Sequence, residues 1–405
     1  MLFILTGLNL FNYLDRSVLA AVRTPMAENF SVNFGDSART ISAFMIGYFL
    51  TSPFFGFLGD RFSRKWLIAF GIFVWSLGTV LTGFAATFAI LLFYRVLVGV
   101  GEASYATISP SLISDSFVPA KRNNALTIFY VAIPVGSALG YILGSQVSAH
   151  SSWRHAFIWA GAPGLLLALV LLPFEEPRRG ATDVGAAPPK PRARDVLKLF
   201  AIPKYNLVVW GYVAYTFVVG AFQLWGPSFL EKVHHVSGTA AGTYFGAVLV
   251  VAGLVGTMVG GFTATAWQKT NPAGYALLLA VSLTAAVPIC FIALSASNPI
   301  TCQIFLAAAM FLLFLSTGPV NTLILETVPN NLRASAMAVS IFLIHLCGDM
   351  WSPEILGRLA DWLHDLQKAS LLLPAVLLVG ALFWWALVFN IRRNVRPVAA
   401  GVSRP

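Results

Sequence analysis

Four charged residues interrupt long apolar stretches of this 405-residue chain, namely Asp15, Arg16, Arg95 and Glu102. A charge at the centre of a membrane helix costs about 2.5–3.5 kcal/mol on insertion scales, so such a residue persists where it is paired, hydrated or functional. Burial in an apolar site disfavours the charged form of a carboxyl group, whereas a neighbouring arginine favours it. A carboxyl group whose arginine moves between two states therefore takes up and releases a proton. This chemistry makes Asp15 and Glu102 candidates for proton coupling.

The spacing of these residues limits how they can pair. Adjacent helical residues point roughly 100° apart, so Asp15 and Arg16 need separate partners. Arg95 and Glu102 are seven positions apart, which places them on one helix face, about 10 Å apart along the axis. Gly99 lies between them and leaves room for an approaching helix or a ligand. We expect Arg16 or Asp15 to meet Glu102 across a cavity; a buried ion pair that only locks two helices is the alternative.

His345 and Asp349 form a second candidate pair, because residues four apart share a helix face. Histidine changes charge near neutral pH and could join proton movement, although a simple hydrogen-bonded pair near the helix end is an equal alternative. The sequence contains no nucleophile elbow, metal cluster or phosphate-binding loop. We therefore predict no catalytic residues, no metal, no cofactor and no enzymatic activity.

The elements that position these residues are membrane helices. A chain with 58% hydrophobic and 10% charged residues cannot be soluble. A hydrocarbon core about 30 Å thick requires about 20 apolar residues per helix, and by that criterion roughly twelve runs span it. Their predicted limits are 2–24, 38–58, 66–84, 88–113, 125–149, 155–173, 204–230, 239–265, 273–295, 299–326, 334–357 and 369–391. The first run begins at Met1 without a basic stretch, so we expect no cleaved signal peptide and a short cytoplasmic leader ahead of Met1.

A polar, proline-rich segment interrupts the pattern between Phe174 and Pro203. It can neither cross lipid nor build a core, so we interpret it as a cytoplasmic linker. The predicted domains are a six-helix bundle at 1–173, the linker at 174–203, a second six-helix bundle at 204–391 and a cytoplasmic tail at 392–405.

Lysine and arginine predict the orientation. If the first run starts in the cytoplasm, most of the 26 Lys and Arg residues lie on the cytoplasmic side, including those of the linker and tail. This bias places both termini in the cytoplasm. The net charge of +10 then indicates topology and contact with anionic membrane lipids, and we expect no nucleic acid partner.

Internal repetition indicates two related halves. Asp115 and Arg122 follow the fourth run as Glu326 and Arg333 follow the tenth, and both offsets are 211 residues (326 minus 115, and 333 minus 122). A loop at 56–65 has a weaker echo near Gly261, in which Asp60 is replaced by Thr265. Placement at equivalent helix ends favours a duplicated fold.

The loop after the second run has the pattern Gly-x-x-Gly-Asp-Arg-x-x-Arg-Lys. Its glycines allow close helix approach, and a plain polar turn that fixes topology is the simplest interpretation of any single charge. As a set it resembles the signature loop of the major facilitator superfamily. The resemblance implies an all-α integral membrane protein with twelve transmembrane helices in two pseudo-symmetric six-helix bundles. It also implies a cytoplasmic gate formed by Gly56, Gly59, Asp60, Arg61, Arg64 and Asp115. We expect Asp60 to meet a helix N-terminus of the other half and Arg64 to meet Asp115.

Within this superfamily the chain resembles the spinster branch. The similarity lies in the residues 12–16 (Asn-Tyr-Leu-Asp-Arg), 100–110, 129–141 and 345–349. The run Pro134-x-Gly136-x3-Gly140-x3-Gly144 also resembles the glycine-proline helix of antiporters, with tight helix packing as the equal alternative.

The spinster resemblance implies export of a single-tailed amphiphilic lipid, such as a lysophospholipid or a sphingoid phosphate, coupled to protons. The implied coupling and substrate-facing set is Asp15, Arg16 and Glu102, with Arg95 as a cavity cation. The expected cavity residues are Arg16, Arg95, Asn12, Tyr13, Tyr105, Tyr130, Tyr215, Trp225, His345 and Asp349. A multi-pass monomer in the cell inner membrane is expected if the source is bacterial. An exporter of drugs or small organic ions and an uncoupled facilitator are the alternatives.

Overall fold

The structure, a computed structural model, describes residues 1–32, 37, 39–182 and 192–395. These residues form helices and contain no strand, so the predicted all-α class is confirmed. Residues 183–191 of the predicted linker, with Lys190, and residues 396–405 of the predicted tail lie outside the described residues.

Six long helices precede the linker. Their bounds are α1 Leu2–Asn29, α2 Arg39–Arg61, α3 Arg64–Gly83, α4 Phe88–Ser116, α5 Pro119–His150 and α6 Trp153–Val170. Local chemistry sets several of these starts. Thr87 accepts a hydrogen bond from Ile90 N at the start of α4, and proline occupies the first position of α5, where a missing N–H costs nothing.

The helices after the linker are more broken. Their bounds are α7 Pro203–His234, α8 Gly238–Thr270, α9 Gly274–Ser295, α10 Pro299–Phe314, α11 Thr317–Glu326, α12 Arg333–Ile344, α13 Ser352–Leu363 and α14 Leu372–Val395, with short helices at Asn330–Leu332 and Leu366–Ser370. Two further short helices, Ala193–Leu197 and Lys198–Ala201, lie within the predicted linker. The predicted single runs 299–326 and 334–357 are each two helices. A π-helical segment, His345–Asp349, follows α12.

Eleven helices or helix pairs within the described residues are long and apolar enough to cross a membrane. α1, the first of the twelve predicted spans, is not among these eleven. It has 28 residues and is long enough, and it carries Asp15 and Arg16 near its middle. A helix of this length carrying central charges is consistent with a membrane span whose polar residues face protein.

Contacts divide the chain into two compact units. The first unit contains Met1–Pro119, Ile128–Val196 and Pro329–Phe342, and the second contains Ala120–Thr127, Leu197–Val328 and Leu343–Pro405. Two helices are therefore shared between the units. Residues 120–127 of α5 belong to the second unit and the rest of that helix from Ile128 to the first, whereas α12 belongs to the first unit up to Phe342 and to the second from Leu343. The predicted division into halves at the linker stays a prediction.

Glycines bring the helices of the first unit close together. A Cβ at Gly47 would meet the carbonyl of Val96 on α4, and a Cβ at Gly99 would meet the backbone of Phe44 on α2. On α5, Gly136, Gly140 and Gly144 lie against the α1 residues Leu10, Leu14 and Val18. The glycine-proline run of α5 thus packs tightly against the helix that carries Asp15 and Arg16.

Candidate functional site

The first unit brings the four charges of α1 and α4 together. Arg16 Nε donates to Glu102 Oε2 at 2.5 Å, so the predicted contact between α1 and Glu102 is confirmed. The Glu102 side chain is fully buried, whereas that of Arg16 is 22% exposed. A buried carboxylate is therefore paired with a cation that keeps access to its surroundings.

Aromatic rings surround the Arg16 guanidinium. Its centre lies 5.0 Å from the Tyr13 ring, 4.9 Å from the Phe44 ring and 4.7 Å from the Tyr48 ring. Rings at these distances attract a cation through their π faces. Sequence reasoning missed Phe44 and Tyr48, although their spacing of four on α2 places both on the face that packs against Gly99.

Asp15 and Arg95 form the second half of the cluster. Arg95 Nη1 lies 3.8 Å from Asp15 Oδ1, and the Thr79 hydroxyl on α3 donates to Asp15 Oδ2. Arg95 also lies 5.4 Å from the Phe44 ring, so one ring contacts both arginines. Asp15 Oδ1, Arg95 Nη1 and Glu102 Oε1 are buried and have no hydrogen-bond partner among the described residues. Buried polar atoms are normally paired, so this cluster retains capacity to bind a charged group.

The other cavity candidates of the first unit have separate surroundings. Asn12 is buried, and the Tyr105 hydroxyl donates to the carbonyl of Leu5. The Tyr130 ring lies 5.0 Å from that of Phe129. Tyr105 is thus held by the backbone of α1, about three turns before the charged pair.

Four further candidates lie in the second unit. His345 Nδ1 lies 2.9 Å and 3.0 Å from the two carboxylate oxygens of Asp349, so the predicted pair is confirmed as a contact, within the π-helical segment. Trp225 Nε1 donates to the carbonyl of Pro353 at 2.8 Å, and the Tyr215 ring lies 6.4 Å from that of Trp384. Most of these polar atoms already have intramolecular partners.

Asp60 caps the start of α12. Its two carboxylate oxygens accept from Ala334 N at 2.9 Å and Ser335 N at 2.7 Å, and its side chain is 3% exposed. A helix N-terminus presents free N–H groups and the positive end of the helix dipole, so a carboxylate there is stabilised. The predicted contact of Asp60 with a helix N-terminus is confirmed. It lies within the first unit, because Pro329–Phe342 belongs to that unit.

Asp115 binds two arginines. Arg64 Nη1 donates to one of its carboxylate oxygens at 2.5 Å and Arg333 Nη1 to the other at 2.6 Å. The Arg64–Asp115 contact is the one predicted, and Arg333 is an addition that its place in the internal repeat could have suggested. Arg61 is exposed, and the contacts described above do not involve it.

The glycines of the same loop allow the approach of α12. A Cβ at Gly56 would lie 2.9 Å from the Ala334 carbonyl oxygen and 3.1 Å from Ser335 Cα, and a Cβ at Gly59 would lie 2.8 Å from Ile108 Cγ1. At Gly56 the 2.9 Å approach to a backbone oxygen is closer than real Cβ atoms show, and at Gly59 the close contact is with a side chain of α4. The predicted role of both glycines in close helix packing is therefore confirmed.

Glu176, which sequence reasoning treated as part of a polar break, caps the start of α3. It accepts from the Ser63 hydroxyl at 2.7 Å, from Arg64 N at 3.1 Å and from Lys65 N at 3.3 Å. Burial opposes ionisation, but the hydrogen bonds from Ser63 and Arg64 outweigh it and lower the pKa of Glu176. Arg179 donates to the carbonyls of Gly59 and Phe62 at the end of α2. In the sequence, the acidic pair Glu175–Glu176 and the basic pair Arg178–Arg179, shortly after α6, could have indicated these contacts.

No group of three or more His, Cys, Asp or Glu side chains in the described part of the chain could hold a metal ion. The functional groups are instead ion pairs and capped helix ends between long apolar helices. The family model of the Major Facilitator Superfamily matches residues 5–348. Fold and match together define a multi-pass membrane transporter rather than an enzyme.

Relatives narrow the assignment. Protein spinster homolog 1 of Xenopus laevis is 35% identical over 407 residues, which cover 95% of this chain and 77% of that protein. The sphingosine-1-phosphate transporter SPNS2 of Danio rerio is 34% identical over 410 residues, covering 93% of this chain and 81% of that protein. A crystal structure of a bacterial homolog of the human lysosomal transporter Spinster has a TM-score of 0.65 at 23% identity, with 97% of each chain covered. This chain belongs to the spinster family of the major facilitator superfamily.

Proposed function

We propose that this transporter works by alternating access and exports a single-tailed amphiphilic lipid, a lysophospholipid or a sphingoid-type lipid, in exchange for protons. Glu102 and Asp15 act as the proton-sensitive carboxylates. The sphingosine-1-phosphate transporter of Danio rerio supports a lipid substrate through its similarity to this chain.

The observation that carries the proposal is the pairing of two cations with two carboxylates in one buried cluster. Arg16 binds Glu102, and Arg95 faces Asp15. A zwitterionic head group contains the complementary charges, so its phosphate suits the arginines and its amine suits the carboxylates. Among the four residues Arg16 is the most exposed, and its position between Glu102 and three aromatic rings suits exchange of one anionic partner for another.

Competition couples the lipid to the proton. When Glu102 or Asp15 is protonated, the amine of the head group loses its anionic partner, so proton and lipid bind with mutually opposed affinities. Reciprocal coupling of this kind gives exchange. A lipid that lacks the amine keeps its affinity for the arginines but loses this competition.

The cytoplasmic gate of the proposal consists of Gly56, Gly59, Asp60, Arg61, Arg64 and Asp115. Three of these residues, Asp60, Arg64 and Asp115, are buried, and Arg333 binds Asp115. We call these four residues the charged latch. Its ion pairs and its capped helix start form in one state and break in the other, as an alternating-access mechanism requires.

The orientation follows from charge. Both termini lie in the cytoplasm, and in a bacterial cell the transporter resides in the inner membrane as a monomer whose basic cytoplasmic loops contact anionic lipids. Lipid substrate, protons and membrane lipids are its partners.

Transport by purified protein in vesicles tests the proposal. A fluorescent lysophosphatidylethanolamine should accumulate when a pH gradient is imposed and should equilibrate without it. Glu102→Gln should abolish accumulation, whereas Glu354→Gln, at an exposed carboxylate paired with Arg358, should retain it. Movement of a hydrophobic cation instead of the lysolipid would indicate a drug exporter. Gradient-independent transport that survives Glu102→Gln would indicate a facilitator.

A further inference from the structure

An apolar groove runs along the surface of the first unit between α3 and α6. Its volume is about 260 Å³. Each side of the groove contributes four apolar residues at the spacing i, i+3, i+4 and i+7, which corresponds to one face of a helix. These residues are Trp66, Ala69, Phe70 and Phe73 on α3, and Leu165, Ala168, Leu169 and Leu172 on or just after α6.

Two alanines form the floor of the groove and larger residues form its walls. Ala69 and Ala168 are buried, whereas Trp66, Phe70 and Leu169 are 61%, 55% and 63% exposed. A methylene group is similar in size to a water molecule, whose share of liquid volume is about 30 Å³, so the groove has room for about eight methylene groups. Packing, rather than a hydrophobic driving force, holds apolar groups together within a membrane. A groove of this shape gives an acyl chain such packing on three sides.

A cation lies at one end of the groove. Lys65 Nζ donates to the Leu172 carbonyl at 2.8 Å and lies 5.9 Å from the centre of the Trp66 ring. Leu172 and Trp66 both line the groove, so they fix the ammonium group at its end. An ammonium group has three donors, and the carbonyl accepts from one of them. The group therefore keeps donors for an anion.

The neighbouring carboxylate of Glu176 is engaged by another arginine. Glu176 accepts from Lys65 through the backbone N–H, at 3.3 Å, and from Arg64 through both the backbone N–H and the side-chain Nε, at 3.1 Å and 3.0 Å. The charge of Glu176 is thus opposed by the guanidinium of Arg64. The contacts of the Lys65 ammonium are with a carbonyl and an aromatic ring, neither of which neutralises its charge.

The corresponding helices of the second unit are joined differently. α9 and α14 are the third and sixth membrane runs after the linker, as α3 and α6 are before it. Trp385 Nε1 on α14 donates to Thr284 Oγ1 on α9 at 2.9 Å, so an indole side chain bridges the two helices. The first turn of α9, residues 274–277, contains no lysine or arginine. The combination of groove and cation is therefore specific to α3 and α6 and does not follow from the repeat.

We propose that this groove binds an anionic phospholipid of the surrounding membrane, with one acyl chain along the alanine floor and the phosphate group on Lys65. Basic residues between membrane helices bind anionic head groups, and tryptophan is enriched where a helix meets the membrane–water interface. Lys65 and Trp66 supply both features at the start of α3. The orientation proposed above places this end of the groove in the cytoplasmic leaflet. The site itself does not depend on which lipid the protein transports.

Photo-cross-linking locates the bound lipid. The purified protein is placed in phosphatidylcholine nanodiscs that contain a trace of phosphatidylglycerol with a diazirine in one acyl chain, and the adducts are mapped by mass spectrometry. Adducts should concentrate in residues 64–73 and 165–172, and unlabelled phosphatidylglycerol should displace them where added phosphatidylcholine does not. Equal labelling of other lipid-facing residues, such as Val251 on α8, which is 62% exposed, would show general lipid contact only and would contradict the site.

Matched variants test the cation and the floor separately. Lys65→Gln should weaken phosphatidylglycerol binding, measured by native mass spectrometry, about fivefold, and Lys65→Arg should retain it. Lys269→Gln, at an exposed lysine near the end of α8, should leave binding unchanged. Ala168→Phe should fill the groove and abolish binding, whereas Leu166→Phe, at a 69% exposed residue of the same helix that does not line the groove, should not.

Thermal unfolding of each variant shows whether it is folded, and if Ala168→Phe is not, the comparison of Lys65→Gln with Lys269→Gln decides. Equal binding by these two variants would mean that Lys65 only holds the end of α6, and the proposal would be wrong.

A competitor separates this site from the transported lipid. Lysophosphatidylethanolamine should not displace the phosphatidylglycerol adducts at residues 64–73 and 165–172, because it carries no net negative charge. Displacement by the lysolipid as effective as that by phosphatidylglycerol would assign the groove to the substrate and overturn the proposal. Binding is measured here without transport. A protein that moves no lysolipid but keeps the adducts would therefore contradict the proposed substrate and leave the phospholipid site standing.

Discussion

The starts of α12 and α5 occupy equivalent places in the repeat but are held by different chemistry. Asp60 meets α12 with a carboxylate, and Thr265 meets α5 with a hydroxyl. The starts of α3 and α9 differ in the same way. Glu176 caps α3, whereas the amide oxygens of Gln268 and Asn271 accept from Tyr275 N and Ala273 N at α9.

The comparison shows that two helices can pack closely at such a helix start with or without a carboxylate contact. Gly56 and Gly261, at equivalent positions, provide the approach in both units. The contacts given above for these helix starts come from carboxylates in the first unit and from hydroxyl or amide groups in the second. Hydrogen bonds with an ionised partner are roughly twice as strong as neutral ones. The carboxylate contacts of Asp60 and Glu176 are therefore the stronger member of each compared pair. They depend on protonation, whereas the contacts of Thr265, Gln268 and Asn271 do not.

Asp115→Asn should produce the largest effect. The substitution leaves the buried side chains of Arg64 and Arg333 without their shared carboxylate, and breaking a buried ion pair in this way costs about 3–5 kcal/mol. We expect a large fall in the thermal unfolding temperature of the detergent-solubilised protein. Asp365→Asn, at a surface residue beside Lys368, is the control and should change it little. Equal melting temperatures for both variants would contradict the shared-carboxylate geometry.

Asp60→Asn measures the charge of the latch directly, because asparagine has nearly the same shape. Loss of a hydrogen bond to a charged group costs about 1.5–3 kcal/mol, and loss of a neutral one about 0.5–1.5 kcal/mol. Thr265→Val, the equivalent change in the second unit, should therefore perturb transport less. The measurement is the transport rate of each variant, Asp60→Asn and Thr265→Val, divided by the rate of the wild-type protein. A larger effect at Thr265 would reverse the ranking drawn here.

Gly56→Ala tests the approach without touching a charge. The added methyl group would meet the backbone of Ala334 and Ser335, and overpacking of this kind costs about 1–3 kcal/mol. Gly7→Ala, whose Cβ would meet nothing within 4 Å, should be tolerated or stabilising. We expect Gly56→Ala to slow transport and to increase alkylation of a cysteine at Ser335. Wild-type behaviour of Gly56→Ala would show that α12 can shift freely.

Glu176→Gln should produce the smallest effect, since it converts the charged cap of α3 to the neutral type found at α9. The partly exposed contact is worth less than about 1 kcal/mol. Because the pKa of Glu176 is lowered in the folded protein, its contribution is complete above the ordinary glutamate range and disappears as pH falls through the lowered pKa. Hydrogen exchange at residues 63–65 should therefore differ between variant and wild type at pH 7 and converge in acid. A difference that persists in acid would assign the cap to shape rather than charge.

The sequence predicted the polar contacts that depend on unusual residues in apolar surroundings. Arg16 with Glu102 was anticipated because a buried charge demands a partner. Arg64 with Asp115 and Asp60 with a helix N-terminus were anticipated from the resemblance of the loop at 56–65 to the signature loop of the superfamily. Phe44, Tyr48 and Glu176 were not, since aromatic residues abound in membrane helices and a linker acid has many possible partners. The hydrogen bonds of Asn123 with Gly261 and Thr265 were not predicted either, because asparagine and threonine are uncharged and do not stand out in the sequence.

The π-helical segment His345–Asp349 lies just after Phe342, where the chain passes from the first unit to the second. A π turn closes over one residue more than an α turn. Relative to an uninterrupted helix, the extra residue rotates everything downstream by roughly 100° about the axis. The direction in which α13 presents Glu354 and Arg358 is thus set by a single inserted position, and deleting one residue of this segment would turn that helix to a different face without changing any side chain on it.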